Sequence, residues 1–347
     1  YVGIDIGGTY TRLAVVDAVG RVQADRRCET PSEVGVGGSD LIEWLVEAYA
    51  LCREETESGR GPPGSQPPKV PRSIGIALPG ILDSTRSVVV RAVNVPSIEG
   101  LPIRERLSQR TGLPTMLECD TVAAAWGEYC LRRSATGSGP DPIGIGWAVP
   151  TSTGVVGSGR GTAPLAGIRR MAYLTIGTGV GGAVLLDGQV LRHTHHSAGH
   201  LGHLICDTGA DAPQCACGVR GCLEARLGGP ALNAAAVEAG FAEGLGQVEL
   251  AYQEGQAEAI HFVNDAARYL SVGLINIAHI YPVDLLVVGG GVSVALPSLV
   301  RQASVLASAQ ESALIPEGMR VELAGLGEYS GVVGAALLAA EFADSQA

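Results

Sequence analysis

The sequence predicts an α/β protein built from two related domains, and three observations carry that prediction. A strand, glycine turn, strand pattern opens the chain, Val2-Gly-Ile-Asp5-Ile-Gly7-Gly8-Thr9-Tyr-Thr11-Arg-Leu-Ala-Val-Val-Asp17, and returns as Tyr173-Leu-Thr175-Ile-Gly177-Thr178-Gly179-Val-Gly181-Gly182-Ala-Val-Leu-Leu-Asp187. The 347 residues exceed a comfortable single core, and a hydrophobic content of 46% supplies apolar side chains for two. Between and after the repeats, short apolar strand patterns alternate with alanine-rich helical ones.

Taken in order, the glycines of the first repeat sit where a tight turn between strands needs them. Ser73 to Leu78 is a further buried strand, closed by a Pro79-Gly80 turn. Thr115 to Leu117 is another, running into Glu118-Cys119-Asp120 and a helix from Thr121 to about Leu131, so a carboxylate stands at a strand-to-helix junction. From Ser134 to Arg169 the chain is rich in Gly, Ser, Pro and Thr, the composition of a surface loop or hairpin. Helical patterns follow over Gly229–Glu243 and His261–His279, then an apolar strand, Asp284–Val288, ending in Gly289-Gly290-Gly291. The last segment, Gly331–Phe342, is alanine-rich and helical. The expected division is an N-terminal domain over residues 1–130 and a C-terminal domain over 131–330, with residues 331–347 packing back onto the first.

Composition excludes several classes. A net charge of −11 argues against a generally nucleic-acid-binding surface. The longest uncharged stretches, such as Ile143–Gly159, are broken by Gly, Pro, Ser and Thr, and none reads as a spanning helix. Eight cysteines without the dense spacing of a small secreted scaffold favour a reducing compartment, and Tyr1 leads straight into a strand pattern, so a cytoplasmic location is expected.

His203, Cys215, Cys217 and Cys222 carry the most specific chemistry. One imidazole and three thiols this close together match a closed tetrahedral zinc site, which pins a loop and leaves no position for an activated water. The alternative is a disulfide pair or buried free thiols.

The local sequence, Gly202-His203 followed by Cys215-Ala-Cys217-Gly-Val-Arg-Gly-Cys222-Leu-Glu224, resembles the signature of the ROK family of sugar kinases and sugar-responsive repressors. The resemblance runs from Val2 to about Ala340, with the motifs in the family's order. It implies the actin-like ATPase (ribonuclease H-like) fold shared with hexokinase and Hsp70, two α/β domains with a nucleotide in the interdomain cleft and a zinc loop at 203–222. Asp5 would then help hold Mg²⁺ and its waters, while Gly7, Gly8, Thr9, Thr11, Gly177, Thr178 and Gly179 surround the phosphates of ATP. Gly289, Gly290 and Gly291 would flank the adenosine. On the residues alone, each glycine turn also fits an ordinary hairpin, and Gly289–Gly291 the mere end of a strand.

Phosphoryl transfer to a hydroxyl needs a base near the attacking oxygen, and Asp120 fits that role; its position also suits the N-cap of the helix it opens. By resemblance, Gly80 and Asn94 supply backbone and amide contacts to a sugar, His203 couples the metal loop to it, and Glu224 accepts bonds from sugar hydroxyls. Asn94 equally fits a turn before proline, and Glu224 a solvated charge. Two positions depart from the family pattern: Cys119 stands where Asn precedes the catalytic Asp, and His200 where Glu stands three residues before the zinc His. Both normally bind sugar hydroxyls, and an unpaired buried polar group costs about 1–3 kcal/mol, so glucose is expected to fit poorly. The expected substrate is a hexose altered at a hydroxyl, an N-acetylhexosamine or a 3-amino-glucose of the kanosamine type, phosphorylated at O6. The other readings are an inactive sugar sensor and a repressor; a repressor carries an additional helix-turn-helix domain before the first strand. The resemblance also implies a homodimer.

Overall fold

The structure is a computed structural model that describes residues 1–31, 39–57, 70–92, 95–134, 168–192, 199–310 and 312–345. Asn94 and nearly all of the Ser134–Arg169 stretch lie outside the described residues. Those described fall into two compact units, one drawn from Tyr1–Val149, Arg192–Ser197 and Tyr329–Ala347, the other from Pro150–Leu191 and Ala198–Glu328.

In the first unit, β1 (Val2–Ile6), β2 (Tyr10–Val16) and β3 (Val22–Glu29) form an antiparallel meander, and β4 (Ile74–Leu78) extends the sheet parallel to β1. The hairpin β5 (Ile81–Leu82) and β6 (Val89–Arg91) leads away, and β7 (Thr115–Cys119) returns parallel to β4, giving the order β3-β2-β1-β4-β7. Central strands buried on both faces need apolar residues throughout, and β4 is wholly buried. The edge strand β3 is half exposed, and its polar sequence, VQADRRCE, carries no apolar run to announce it. Helices α1 (Ser39–Glu57), α2 (Ile103–Thr111) and α3 (Asp120–Ser134) are joined by the C-terminal helix, Ser330–Asp344. That helix lies on the sheet at a distance only glycine permits: a Cβ at Gly3 or at Gly75 would stand 1.9 Å from a helix carbonyl, Val332 O and Ala335 O respectively.

The second unit repeats the plan. Strands β8 (Arg170–Ile176), β9 (Val180–Leu186) and β10 (Gln189–Val190) form the meander. Helices α4 (Leu223–Leu227), α5 (Gly229–Glu238), α6 (Leu245–Gln253) and α7 (Ala257–Ile280) follow, then β11 (Leu285–Gly289), α8 (Gly291–Ala295), α9 (Pro297–Ser308) and β12 (Arg320–Leu323). Strands β11 and β12 are parallel to β8, and the order β10-β9-β8-β11-β12 matches the first sheet position for position. Leu270, Leu274 and Ile277 of α7 and Leu299, Val300 and Ala303 of α9 belong to its core. The helix expected to reach Glu243 stops at Glu238, because Gly240 turns left-handed (φ 93°) and its N–H folds back onto Val237 O at 3.0 Å. Among the described residues, no helix is long and apolar enough to cross a membrane.

Candidate functional site

Each unit holds its own set of predicted site residues. In the first, the register of β1 and β2 sets Asp5 opposite Arg12, so the two side chains share one face of the sheet. The guanidinium of Arg12 is held in turn: it donates to Asp25 Oδ2 at 2.8 Å and lies 4.3 Å from the ring centre of Tyr329, whose hydroxyl also donates to Asp25 at 3.2 Å. The start of the C-terminal helix presses on Asp5, since a Cβ at Gly331 would stand 2.4 Å from Asp5 Oδ2. Burial, reinforced by the charge of Asp120 and opposed by Arg12, pushes the Asp5 carboxyl up to about 7.

Strand β1 turns into β2 through Gly7, Gly8 and Thr9, closed by Gly7 N–H donating to Tyr10 O at 3.0 Å. Thr11 is wholly buried beneath this turn. Its hydroxyl lies 2.9 Å from Thr30 Oγ1, which itself donates to Gly7 O at 2.8 Å. A hydroxyl has one proton, so Thr11 donates to Thr30 and braces the turn from below rather than offering a donor at its surface.

Asp120 closes β7 and opens α3. Its Oδ1 accepts from Thr121 N–H at 2.7 Å and from the Cys119 thiol at 3.4 Å. Burial holds its carboxyl above the ordinary carboxylate range, the direction that suits a base working near neutral pH. Burial likewise pushes the Cys119 thiol up to about 12, and its sulfur also lies 3.2 Å from Thr121 Oγ1. Gly80 turns the chain after β4 with φ 127°, and a Cβ there would lie 2.3 Å from Arg91 O.

Sequence reasoning missed how Glu118 is held. It is 2% exposed, and Arg192 grips it with both terminal nitrogens, at 3.1 and 2.6 Å, while Arg86 adds a third bond at 3.0 Å. Cys119 N–H donates to the same carboxylate at 3.0 Å. Arg86 reaches it from a left-handed backbone (φ 52°) in the β5–β6 hairpin, whose shape is fixed by Asp83 accepting from Ser87 and Val88 N–H. No spacing rule links positions 86 and 192 to 118.

In the second unit, Gly177 N–H donates to Gly179 O at 2.9 Å, closing the turn that carries Thr178. The Gly289–Gly291 turn sits beside it: Gly290 has φ 90°, and a Cβ there would lie 2.4 Å from Ile176 O. The fold therefore gathers two of the predicted glycine turns at one end of the β8–β11 pair.

His203, Cys215, Cys217 and Cys222 also converge, their ligand atoms all lying within 4.8 Å of one another. Cys215 Sγ is 3.6 Å from His203 Nδ1, and the sulfurs of Cys217 and Cys222 are 3.6 Å apart. All eight cysteines are free, so the disulfide alternative is not what these thiols form. A tetrahedral zinc with bonds of about 2.3 Å places sulfurs roughly 3.7 Å apart, and the donor set fits a structural ion of that kind. His200 is exposed, with its ring centre 6.0 Å from that of His203. Glu224 directs one carboxylate oxygen to Val180 N–H at 2.9 Å and sets the other 3.5 Å from Cys215 Sγ.

Residues 1–138 and 163–342 match the ROK family pattern. The chain is 28% identical over 336 residues to the N-acetylmannosamine kinase of Salmonella typhi, covering 97% of each. A ROK hexokinase from Thermus thermophilus superposes with a TM-score of 0.70 at 30% identity, covering 99% of both chains. A ROK family glucokinase from Streptomyces griseus, solved with glucose and AMPPNP, superposes with a TM-score of 0.71 at 26% identity, covering 98% of this chain and 99% of that one.

Proposed function

From the premise that the chain belongs to the ROK family and has its actin-like ATPase fold, we propose that it is an ATP-dependent sugar kinase that phosphorylates the 6-hydroxyl of a hexose or amino-hexose. The observation that carries the reading is Asp120, a carboxylate at the strand-to-helix junction that burial holds in a more basic range. In the proposed reaction Asp120 accepts the proton of the attacking hydroxyl, and the Gly177–Gly179 and Gly7–Thr9 turns present backbone N–H groups to the phosphates. Asp5 would hold Mg²⁺ through its waters in this reading, and the ion when bound would spread the charge of the β- and γ-phosphates. His203 and the three cysteines would hold a structural zinc that stiffens the loop, with no part in the chemical step.

Cys119 and His200 support a substrate other than glucose. The Cys119 thiol keeps its proton and points it at Asp120, so its sulfur offers a ligand lone pairs and no donor. A ring position carrying N–H in place of a plain hydroxyl answers that better, which favours a 3-amino-glucose of the kanosamine type. Gly80, Asn94, His203 and Glu224 complete the sugar contacts in this reading, which also takes the protein as a cytoplasmic homodimer; the glucokinase solved with AMPPNP supports ATP as donor.

Coupled ADP release over a sugar panel tests the substrate: turnover with 3-amino-glucose is expected to exceed turnover with glucose, and a clear preference for glucose rejects the amino-hexose. Sugar binding without sugar-dependent ADP release would instead mark the protein as an inactive sensor.

A further inference from the structure

Within the second unit, the metal cluster and the glycine turn are joined by direct contacts. Glu224 lies two residues beyond Cys222, in the first turn of α4. Its Oε1 is 3.5 Å from Cys215 Sγ, and its Oε2 accepts from Val180 N–H, the residue that follows the turn, at 2.9 Å. The fit is close, since a Cβ at Gly179 would stand 2.6 Å from Oε2. Behind the carboxylate, Gly228 N–H donates to Glu224 O at 2.8 Å and Gly229 N–H to Gly177 O at 2.7 Å, so both ends of the turn rest on α4 and the start of α5. The His203 side reaches the same point, for a Cβ at Gly202 would lie 1.9 Å from Val180 O. Val180 is thus held through its N–H by Glu224 and crowded at its carbonyl by the residue before a metal ligand.

Taking the Gly177–Gly179 turn as the phosphate site proposed above, we infer that Glu224 is a positioning residue that carries the state of the His203, Cys215, Cys217 and Cys222 cluster to that turn, so that metal loading sets nucleotide affinity independently of sugar. With the metal bound, the cluster fixes the entry to α4, and with it the carboxylate that orients Val180 N–H and the peptide of Gly179. With the metal withdrawn, the four side chains are no longer tied together, α4 loses its anchor, and the turn loses its shape. A carboxylate at position 224 that served only as the sugar contact of that reading would alter sugar affinity and leave the nucleotide alone.

The test titrates the full-length protein calorimetrically with AMPPNP and Mg²⁺ in the absence of sugar, with zinc content measured on each sample. E224A is expected to weaken nucleotide binding about three- to tenfold while keeping its zinc, the effect of losing one hydrogen bond. E224Q, whose amide oxygen still accepts from Val180, should stay within about twofold of wild type. Chelation of wild type should weaken binding at least as much as E224A, with secondary structure intact by circular dichroism. If E224A does not fold, E224D, which keeps the charge and shortens the reach, should show the same loss. Unchanged affinity in the zinc-loaded variant or in the chelated wild type overturns the coupling, and a sugar-affinity loss alone assigns Glu224 to the sugar. Failure of zinc-loaded wild type to bind AMPPNP would instead bring down the nucleotide reading itself.

Discussion

Asp120→Asn separates the charge of this side chain from its shape. An amide oxygen accepts from Thr121 N–H and the Cys119 thiol as Oδ1 does now at 2.7 and 3.4 Å, so the local geometry should persist. The proton acceptor is gone, and loss of a positioned base lowers turnover by about 10²–10⁴, or about 3–5 kcal/mol on the barrier. Stability should move the other way. Because burial raises the Asp120 carboxyl above its ordinary value of 3.8, the folded chain holds that proton more tightly than the unfolded chain. Wild-type stability therefore falls as pH rises from about 4 towards the folded value, and the carboxylate then opposes folding at neutral pH. The Asn variant lacks that loss: it should melt higher than wild type near pH 7 and converge with it below about pH 4. Removing the charge should also lower the Asp5 carboxyl from about 7, since Asp120 is one of the influences raising it. Coupled ADP release and thermal unfolding from about pH 4 to about pH 8 read both effects. Turnover within tenfold of wild type, or a lower melting temperature at neutral pH, would refute the assignment.

Gly331→Ala should destabilise the first unit by about 1–3 kcal/mol in urea unfolding and lower turnover, because the new methyl stands 2.4 Å from Asp5 Oδ2 and displaces it. Cys222→Ser removes a wholly buried thiol from the cluster and should reduce bound zinc below one per chain by emission spectrometry; full occupancy would argue against ligation. Arg192→Ala leaves the buried Glu118 with the Arg86 guanidinium and the Cys119 N–H, and should cost about 1–3 kcal/mol. A double-mutant cycle with Glu118→Gln should return a coupling of about 1 kcal/mol or more, and additivity would deny the pair its role.

What the sequence disclosed was what local pattern encodes. The paired glycine turns appear at Gly7–Thr9 and Gly177–Gly179 because apolar strands flank them on both sides. The convergence of His203, Cys215, Cys217 and Cys222 was legible because ligand spacing survives as spacing. Residues whose meaning depends on a distant partner stayed silent. Gly3 and Gly75 look like ordinary strand glycines until a helix from the end of the chain is laid against them, and Thr11 looks like a phosphate donor until Thr30 is found beneath it. Glu118 sits inside a motif noticed for its neighbours, while Arg86 and Arg192, which hold it, come from a hairpin and from the segment after β10. Strand β3 leaves no apolar signature because an edge strand has no need of a continuous apolar run.

Transfer of a phosphoryl group from ATP to the primary hydroxyl of a sugar, as proposed, leaves the phosphate on carbon 6, and its position in the product is the sharpest readout of that reaction. Incubated with ATP, Mg²⁺ and 3-amino-glucose, the enzyme is predicted to yield a product whose phosphorus resonance couples to the two protons on carbon 6. Phosphate on any other carbon, or ADP formed at the same rate without sugar, would rule out a sugar 6-kinase.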